Sequence, residues 1–268
     1  MRQSIYTLVV LILILCFSAG QGWSDDTAET SSEAPVDVLQ DDFLSDDYLD
    51  FEDDMYGVDD IYDPLEPLNR VFFEFNDRMY FWVWKPVKIG YSYIIPAELR
   101  ECLGNFFNNL SAPIRLVNNL LQGRFEDAGV VVLRFFINST VGVYGLADVA
   151  LQEFNLEPRL ADFGQTLGVY GLGEGVYVCW PILGPSNLRH STGLIGDAML
   201  SPLSYTNMTV DQGALYYAVN NINFLSLSPD VYEEMKKFSL DPYIATRQSF
   251  YDFRRNIVKM AAEGETDF

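Results

Sequence analysis

The chain has little of the chemistry that metal centres and disulfide scaffolds require. Its 268 residues include three Cys and one His. So few Cys exclude a disulfide-rich scaffold, and so few Cys and His exclude the usual zinc site. We therefore expect no metal and no cofactor, and a structural role for His190. Whether Cys102 and Cys179 pair is left open, because a disulfide depends on geometry.

Basic residues are scarce as well. The chain has 17 Lys and Arg against 38 Asp and Glu, a net charge of -21, which argues against nucleic acid as a partner. Seventeen of the acidic residues lie between 25 and 66, where there is no Lys or Arg. Like charges repel, so we predict an acidic disordered segment over 25–62. It is either a solvated tail or a segment that docks on a partner.

Long apolar runs are scarce as well. Leu8–Phe17 is ten residues long, whereas a spanning helix needs about 20. With Arg2 before this run and small residues after it, residues 1–24 are predicted to be a signal peptide. Lipoprotein processing at Cys16 is the alternative, but Leu15 stands where that processing needs a small residue. We expect export with no lipidation at Cys16.

The body, 63–262, shows apolar residues at helical spacing, and 263–268 is a short tail. The pattern predicts a mainly α fold with no transmembrane span. We expect the first helix to end at Lys85, because the residue before a proline is disfavoured in a helix. The predicted helices are Asn69–Trp84, Ala97–Leu110, a helix capped by Ser111 that stops at Gly123, Phe125–Ser139, Asp211–Phe224, Asp230–Phe238, and Pro242–Met260 capped by Asp241.

The first of these helices is too apolar for a simple surface helix. Trp82 and Trp84 gather at its C-terminal end, a placement that favours a membrane–water interface, where the ring and the indole N–H are both satisfied. Packing in an ordinary core is the alternative.

Residues 162–185 have a different pattern. Thr166–Tyr170 and Gly175–Trp180 carry branched and aromatic residues on either side of a Gly-rich centre, which predicts a β-hairpin or hairpin-like loop. No Lys-Ser or Lys-Thr pair follows the glycines and no βαβ unit surrounds them, so we do not expect a nucleotide site.

Several motifs occur in a fixed order along the body. They are Asp63-Pro-Leu-Glu-Pro-Leu-Asn69-Arg70, Asn105-Phe106, Arg134-Phe135 with Asn138-Ser139, the stretch from Asp162 through Thr166, Tyr170 and Gly175 to Tyr177, Gly184-Pro185-Ser186, and Asp241-Pro242-Tyr243. With these motifs, residues 63–252 resemble the MlaA family, also called VacJ, of outer-membrane lipid-asymmetry proteins.

The resemblance implies a mainly helical, ring-like protein that lies in the inner leaflet of the outer membrane. Such proteins enclose an amphipathic channel and associate with trimeric porins. They remove phospholipid from the outer leaflet and pass it to a periplasmic lipid-carrier protein, without acting as enzymes. Expected partners are therefore phospholipid, the outer membrane, a trimeric porin and the carrier.

A phospholipid path needs polar groups for the headgroup beside an apolar wall for the tails. Candidates on the first helix are Phe72, Phe75 and Asn76; candidates on the Gly-rich hairpin are Leu167, Tyr170, Gly171 and Gly173. For both sets, packing in the core is the alternative.

Two other functions remain to be weighed. One is a periplasmic or membrane-surface interaction protein that uses its acidic segment, which is not part of the family pattern. The other is a lipid hydrolase, which the lack of a G-x-S-x-G motif disfavours.

Overall fold

A computed structural model describes residues 61–264. The predicted signal peptide 1–24, nearly all of the acidic segment 25–62 and most of the tail 263–268 lie outside the described residues. The predicted boundaries of these segments therefore stay predictions.

The described residues are mainly α-helical, as predicted, and contain a two-stranded antiparallel sheet. Between residues 61 and 264 no helix is long and apolar enough to cross a membrane. The helices are α1 (Glu66–Met79), α2 (Lys85–Ile94), α3 (Ala97–Leu110), α4 (Ala112–Leu121), α5 (Phe125–Thr140), α6 (Val149–Phe154), α7 (Phe163–Val169), α8 (Leu188–Leu200), α9 (Val210–Leu227), α10 (Val231–Phe238) and α11 (Pro242–Glu263); a π-helical segment spans Tyr80–Trp84, a 3-10 turn spans Pro202–Tyr205, and the strands are β1 (Tyr177–Trp180) and β2 (Gly184–Asn187).

One helix cap was predicted correctly and another was not. Asp241 Oδ1 accepts hydrogen bonds from the backbone N–H groups of Tyr243, at 2.9 Å, and Ile244, at 3.3 Å, and so satisfies two donors at the start of α11. Ser111 does precede α4, but its hydroxyl donates to the carbonyl of Phe107 instead of capping the new helix.

The predicted helix end at Lys85 is wrong. The chain continues from α1 through the π-helical segment into α2, and Lys85 keeps helical angles, φ -62° and ψ -51°. Its N–H donates to the carbonyl of Tyr80, five residues back. A π turn widens the helix by one residue, which makes room for the ring of Pro86 and tolerates its missing N–H.

The hairpin predicted around the Gly-rich centre 171–174 is wrong, although its second flank does form a strand, Tyr177–Trp180, in a different hairpin. Thr166 lies inside helix α7, which Asp162 and Gln165 begin with a reciprocal capping box. β1 pairs instead with the downstream strand β2, with Tyr177 opposite Asn187. The capping box makes the first flank helical, because it satisfies two N–H groups that a strand would leave open.

The hairpin and α11 meet in the core. The buried rings of Tyr243 and Tyr251, two helical turns apart on α11, lie 6.1 and 6.0 Å from the ring of Tyr177. α1 packs against the hairpin, α9 packs against α2 and α3, and α4 packs against α5. Cys102 on α3 and Cys179 on β1 are not bonded to each other.

Candidate functional site

Asn69 joins α1 to the hairpin. Its amide nitrogen donates to Asp63 Oδ1 at 2.8 Å and to the carbonyl of Tyr177 at 3.1 Å, and its Oδ1 accepts from the N–H of Cys179 at 2.9 Å. The side chain is 1% exposed. Backbone groups of β1 that face away from β2 thus find their partners on a side chain, as buried polar groups require.

Asn76 repeats this arrangement two turns further along α1. Its amide nitrogen donates to the carbonyl of Trp180 at 2.8 Å, and its Oδ1 accepts from the N–H of Ile182 at 2.6 Å. Residues seven apart lie on the same face of a helix, so the two asparagines hold β1 and the turn after it against α1.

An apolar cavity of about 370 Å³ opens beside Asn76. The π-helical segment, the hairpin turn and α9 to α11 form its walls. Concave, mostly apolar spaces of this size are typical ligand sites. The lining residues are Phe73, Asn76, Asp77, Met79, Tyr80, Trp84, Cys179, Ile182, Leu183, Gly184, Pro185, Tyr217, Asn221, Phe224, Leu225, Tyr232 and Thr246.

The charged group in this cavity is neutralised by its own neighbours. Asp77 Oδ1 accepts from the hydroxyl of Tyr232 at 2.7 Å and from Lys236 Nζ at 2.6 Å. Burial, reinforced by the Asp77 carboxylate, raises the pKa of Tyr232 well above its usual value. The Tyr80 hydroxyl donates to Glu233 Oε1 at 3.1 Å, and burial together with that carboxylate raises the pKa of Tyr80 to about 12. Both phenols therefore stay neutral at physiological pH.

The predicted path residues fall in different places. Asn76 lines the apolar cavity, but Phe72 and Phe75 do not, and Phe75 is 44% exposed. Of the tryptophans, Trp84 lines the cavity and Trp82 is 76% exposed, so core packing does not account for Trp82.

The candidates from the Gly-rich region lie at the C-terminal end of α7 and in the turn that follows it, away from the lining of this cavity. The Tyr170 hydroxyl donates to the carbonyl of Leu121 at 2.5 Å, which ties this turn to α4. A role for Leu167, Tyr170, Gly171 and Gly173 in a lipid path stays a prediction.

Sequence reasoning missed most of the cavity. Phe73, Met79 and Tyr80 were visible as apolar residues of the first helix, and the Tyr-Phe-Trp-Val-Trp run was the available signal. The residues from α9 and α10 carried no local signal, because they reach the cavity only through long-range packing.

A second cavity, of about 290 Å³, lies among α3, α4 and α5. Asp148 organises one side of it. The carboxylate pairs with Arg134 at 2.7 Å, and it accepts from the amide of Asn138 at 2.9 Å and from the N–H of Leu151 at 3.3 Å. Asn138 Oδ1 in turn accepts from the N–H of Ala150 at 2.9 Å. This network fixes the start of α6 against α5.

A partly buried group of titratable residues lies elsewhere, under α7. Asp162 takes two hydrogen bonds from Arg254, at 2.7 and 3.0 Å. Burial alone would raise the pKa of Asp162, but the Arg254 bonds and charge outweigh it and hold the pKa below its usual value. Burial, with the Asp162 charge, raises the pKa of the neighbouring Asp197 to about 6. Burial and the Arg254 charge lower the pKa of His190.

Residues 61–264 contain no group of three or more His, Cys, Asp or Glu placed to hold a metal ion. The ring of His190 lies 5.8 Å from that of Phe250, which fits the structural role expected of it.

Comparison with known proteins gives consistent results. The family model described as MlaA lipoprotein matches residues 61–257. The intermembrane phospholipid transport system lipoprotein MlaA of Escherichia coli is 33% identical over 196 residues, 70% of this chain and 75% of that protein. A protein of Rickettsia felis is 35% identical over 205 residues, 76% of this chain and 80% of the relative.

A solved structure agrees with these sequence matches. That structure concerns the structural basis for maintenance of bacterial outer membrane lipid asymmetry. Its TM-score to this chain is 0.63 at 31% identity, and the match covers 74% of this chain and 99% of the solved one.

Proposed function

This chain belongs to the MlaA family, and from that premise we propose that it transports phospholipid to keep the outer membrane asymmetric. It takes phospholipid that has strayed into the outer leaflet and passes it to a carrier in the periplasm. The step is transfer of an intact lipid, with no bond made or broken, in keeping with a family of lipid-transport components.

The observation that carries this proposal is the apolar cavity beside Asn76. Acyl chains need a wall without unpaired polar groups, because an unsatisfied polar atom in an apolar space costs free energy. The polar side chains of this cavity are satisfied by one another or by the hairpin: Asp77 by Tyr232 and Lys236, Asn76 by backbone groups. Asn221 and Thr246 also line it and donate to the carbonyls of Tyr217 and Pro242. Most of the remaining wall is aromatic or aliphatic.

The outer surface supports a location in a membrane. Tyr93 is 91% exposed and Ile94 77% exposed at the end of α2, and Trp82 lies exposed earlier on the same long helix. Exposed apolar side chains concentrated in this way mark contact with a membrane or partner. Helices with such faces lie within an interface without crossing it, which agrees with the lack of a spanning helix in residues 61–264.

The finer points of the proposal are the leaflet, the export route and the partners. We place the protein in the periplasmic leaflet of the outer membrane, exported by a cleaved signal and without lipidation at Cys16. A trimeric porin would flank it, and a periplasmic lipid-carrier protein would accept the lipid. The intact mass of the mature chain tests the export route, and a chain that starts at acylated Cys16 would contradict it.

The proposed transport is tested in a Gram-negative strain that lacks its own family member. The full chain is expressed there, and phosphatidylethanolamine on the cell surface is measured with a membrane-impermeant amine reagent. We expect surface phosphatidylethanolamine to fall toward the wild-type level. An unchanged level, with the chain present in the outer-membrane fraction in normal amounts, would overturn the proposal, and so would a mature chain found only in the soluble fraction.

A further inference from the structure

The second cavity, among α3, α4 and α5, gathers three guanidinium groups. Arg115 comes from α4, Arg134 from α5, and Arg159 from the segment before α7. The only carboxylate among the residues that line this cavity is Asp148. In a chain of net charge -21, three cations around a space of about 290 Å³ need a specific explanation.

Two of the three arginines have acidic partners. Arg134 pairs with Asp148 at 2.7 Å, and Arg159 pairs with Asp127 at 3.3 Å. Both pairs are largely buried, and a charge taken out of water needs such a partner. Asp148 thus compensates Arg134, whereas Asp127 is shared, because Arg124 also pairs with it at 2.7 Å, and it compensates Arg159 only in part.

Arg115 is different. One of its terminal nitrogens donates to Asn108 Oδ1, a neutral amide, at 3.1 Å. Within residues 61–264, Arg115 forms no ion pair. Burial and the repulsive charge of Arg134 lower its pKa, and the attraction of Asp148 offsets this only in part. The cavity thus carries at least one positive charge in excess, and Arg115 has several N–H donors still available.

The rest of the lining suits an anion attached to an apolar body. Asn105, Asn108 and Asn109 border the space on the side of α3. Val131, Phe135 and Leu160 supply an apolar wall. A planar guanidinium beside amides matches the oxygens of a phosphate group, to which it can donate two parallel hydrogen bonds.

We propose that this cavity binds a phosphate group, with Arg115 as its principal contact. The phosphate of a phospholipid headgroup and free phosphate share this chemistry. Assignment to a headgroup rests on the proposed function, whereas the anion site itself does not. The apolar wall favours the headgroup, because free phosphate would gain nothing from Phe135 and Leu160.

Three substitutions test the site without emptying the core. Arg115→Gln removes the charge. Asn108→Asp places a carboxylate where the amide already accepts from Arg115, and so neutralises the charge of Arg115 with nearly the same shape. Arg115→Lys keeps the charge but loses the planar fork. Arg78→Gln is the matched control, because Arg78 is exposed on α1 and pairs there with Glu74.

Binding is measured by calorimetry on the full chain in uncharged detergent, with three probes: inorganic phosphate, dihexanoylphosphatidic acid, and dihexanoylglycerol, which lacks the phosphate. We expect Arg115→Gln and Asn108→Asp each to weaken binding of phosphate-bearing probes about tenfold or more, the loss of one charged hydrogen-bonding contact. The affinity of Arg115→Lys for these probes should lie between that of these variants and that of wild type. Arg78→Gln should bind them as tightly as wild type.

The outcomes distinguish a lipid headgroup from free phosphate as the bound group. They also distinguish failure of this site from failure of the transport proposal. Competition between dihexanoylphosphatidic acid and inorganic phosphate supports a headgroup site; binding of inorganic phosphate alone supports a free-anion site. Wild-type affinity in both Arg115→Gln and Asn108→Asp, with unchanged circular dichroism, would overturn the site, as would equal binding of dihexanoylglycerol. Failure of the transport proposal is read separately, from surface phosphatidylethanolamine in cells that express the unmodified chain.

Discussion

Asn69 on α1 accepts a hydrogen bond from the backbone N–H of Cys179 on β1, at 2.9 Å and across 110 positions of sequence. The same side chain donates to the carbonyl of Tyr177 at 3.1 Å. In a wider sheet a neighbouring strand would satisfy these two backbone groups. Here one amide does so, and it thereby fixes the hairpin against the helix that carries Asn76 and one wall of the apolar cavity.

Replacing this amide should be costly. Asn69→Ala leaves the carbonyl of Tyr177 and the N–H of Cys179 buried without these partners, so we expect the free energy of unfolding to fall by about 2–4 kcal/mol. Urea unfolding followed by circular dichroism measures the loss. Asn256→Ala, on the exposed face of α11, is the control and should change stability by no more than about 0.5 kcal/mol. Equal losses in the two variants would contradict this account.

Local signals in the sequence predicted those parts of the fold that depend on neighbouring residues. The apolar spacing of Ala97–Leu110 and the Asp241 cap needed no distant contact, and the structure confirms both. The end predicted at Lys85 failed because a proline rule assumes an ordinary α-helix, and the π turn before Pro86 removes that assumption. Whether such a turn forms depends on what packs around it.

The candidate site was harder to predict for the same reason. Asn76 was identified, but as part of a lipid path, and its hydrogen bonds to Trp180 and Ile182 were invisible because the partners lie more than a hundred residues away. The residues that line the second cavity form no recognisable sequence pattern either. Arg115 and Arg134 stand on separate helices, and only the packing of α4 on α5 brings them together.

Breaking the ion pair under α7 should show how strongly a buried charge depends on its partner. Arg254 is 5% exposed and makes two hydrogen bonds to Asp162. Arg254→Gln leaves that carboxylate partly buried without its counter-charge, so we expect the free energy of unfolding to fall by about 3 kcal/mol.

The next residue along α11 provides the control. Arg255 pairs with Glu174 at 3.3 Å on a more exposed face, where ion pairs contribute little. Arg255→Gln should therefore lower stability by less than about 1 kcal/mol. If urea unfolding gave the same loss for both variants, burial would not be what makes the Arg254 pair important.

Asp197 should give stability a specific pH dependence. Burial raises its native pKa to about 6, whereas an unfolded Asp titrates near 4. Between these values the native state holds more protons than the unfolded state, so this residue lowers the free energy of unfolding as pH rises. Below about pH 4 both states are protonated, and the effect disappears.

Asp197→Asn removes this titration and keeps Oδ1 as acceptor for the amide of Asn118 and the N–H of Phe163. We expect the stability of the variant relative to wild type to increase by about 1–2 kcal/mol between pH 4 and pH 7. Urea unfolding of both proteins across this range gives the difference, in which other titrating groups largely cancel. A difference that is constant, or that shrinks as pH rises, would contradict the assignment.

The apolar cavity should lose lipid when a charge is placed in its wall. Leu183 lies in the hairpin turn, lines the cavity and is 54% exposed. In Leu183→Asp the carboxylate has water nearby and does not threaten the core, but acyl chains would have to desolvate it. We expect phospholipid that co-purifies with the chain in mild detergent, measured by mass spectrometry, to fall about tenfold, since the penalty is at least 1–2 kcal/mol.

Leu188→Asp is matched to this change in residue type and in exposure. Leu188 is 59% exposed at the start of α8, outside the cavity lining, and an acidic residue in the first turn of a helix is favourable. The Leu188→Asp variant should therefore retain the wild-type amount of co-purified phospholipid. If the two variants lost lipid equally, the loss would reflect weaker contact with the detergent or membrane surface, and acyl chains would have to lie somewhere other than the space between the π-helical segment and the hairpin.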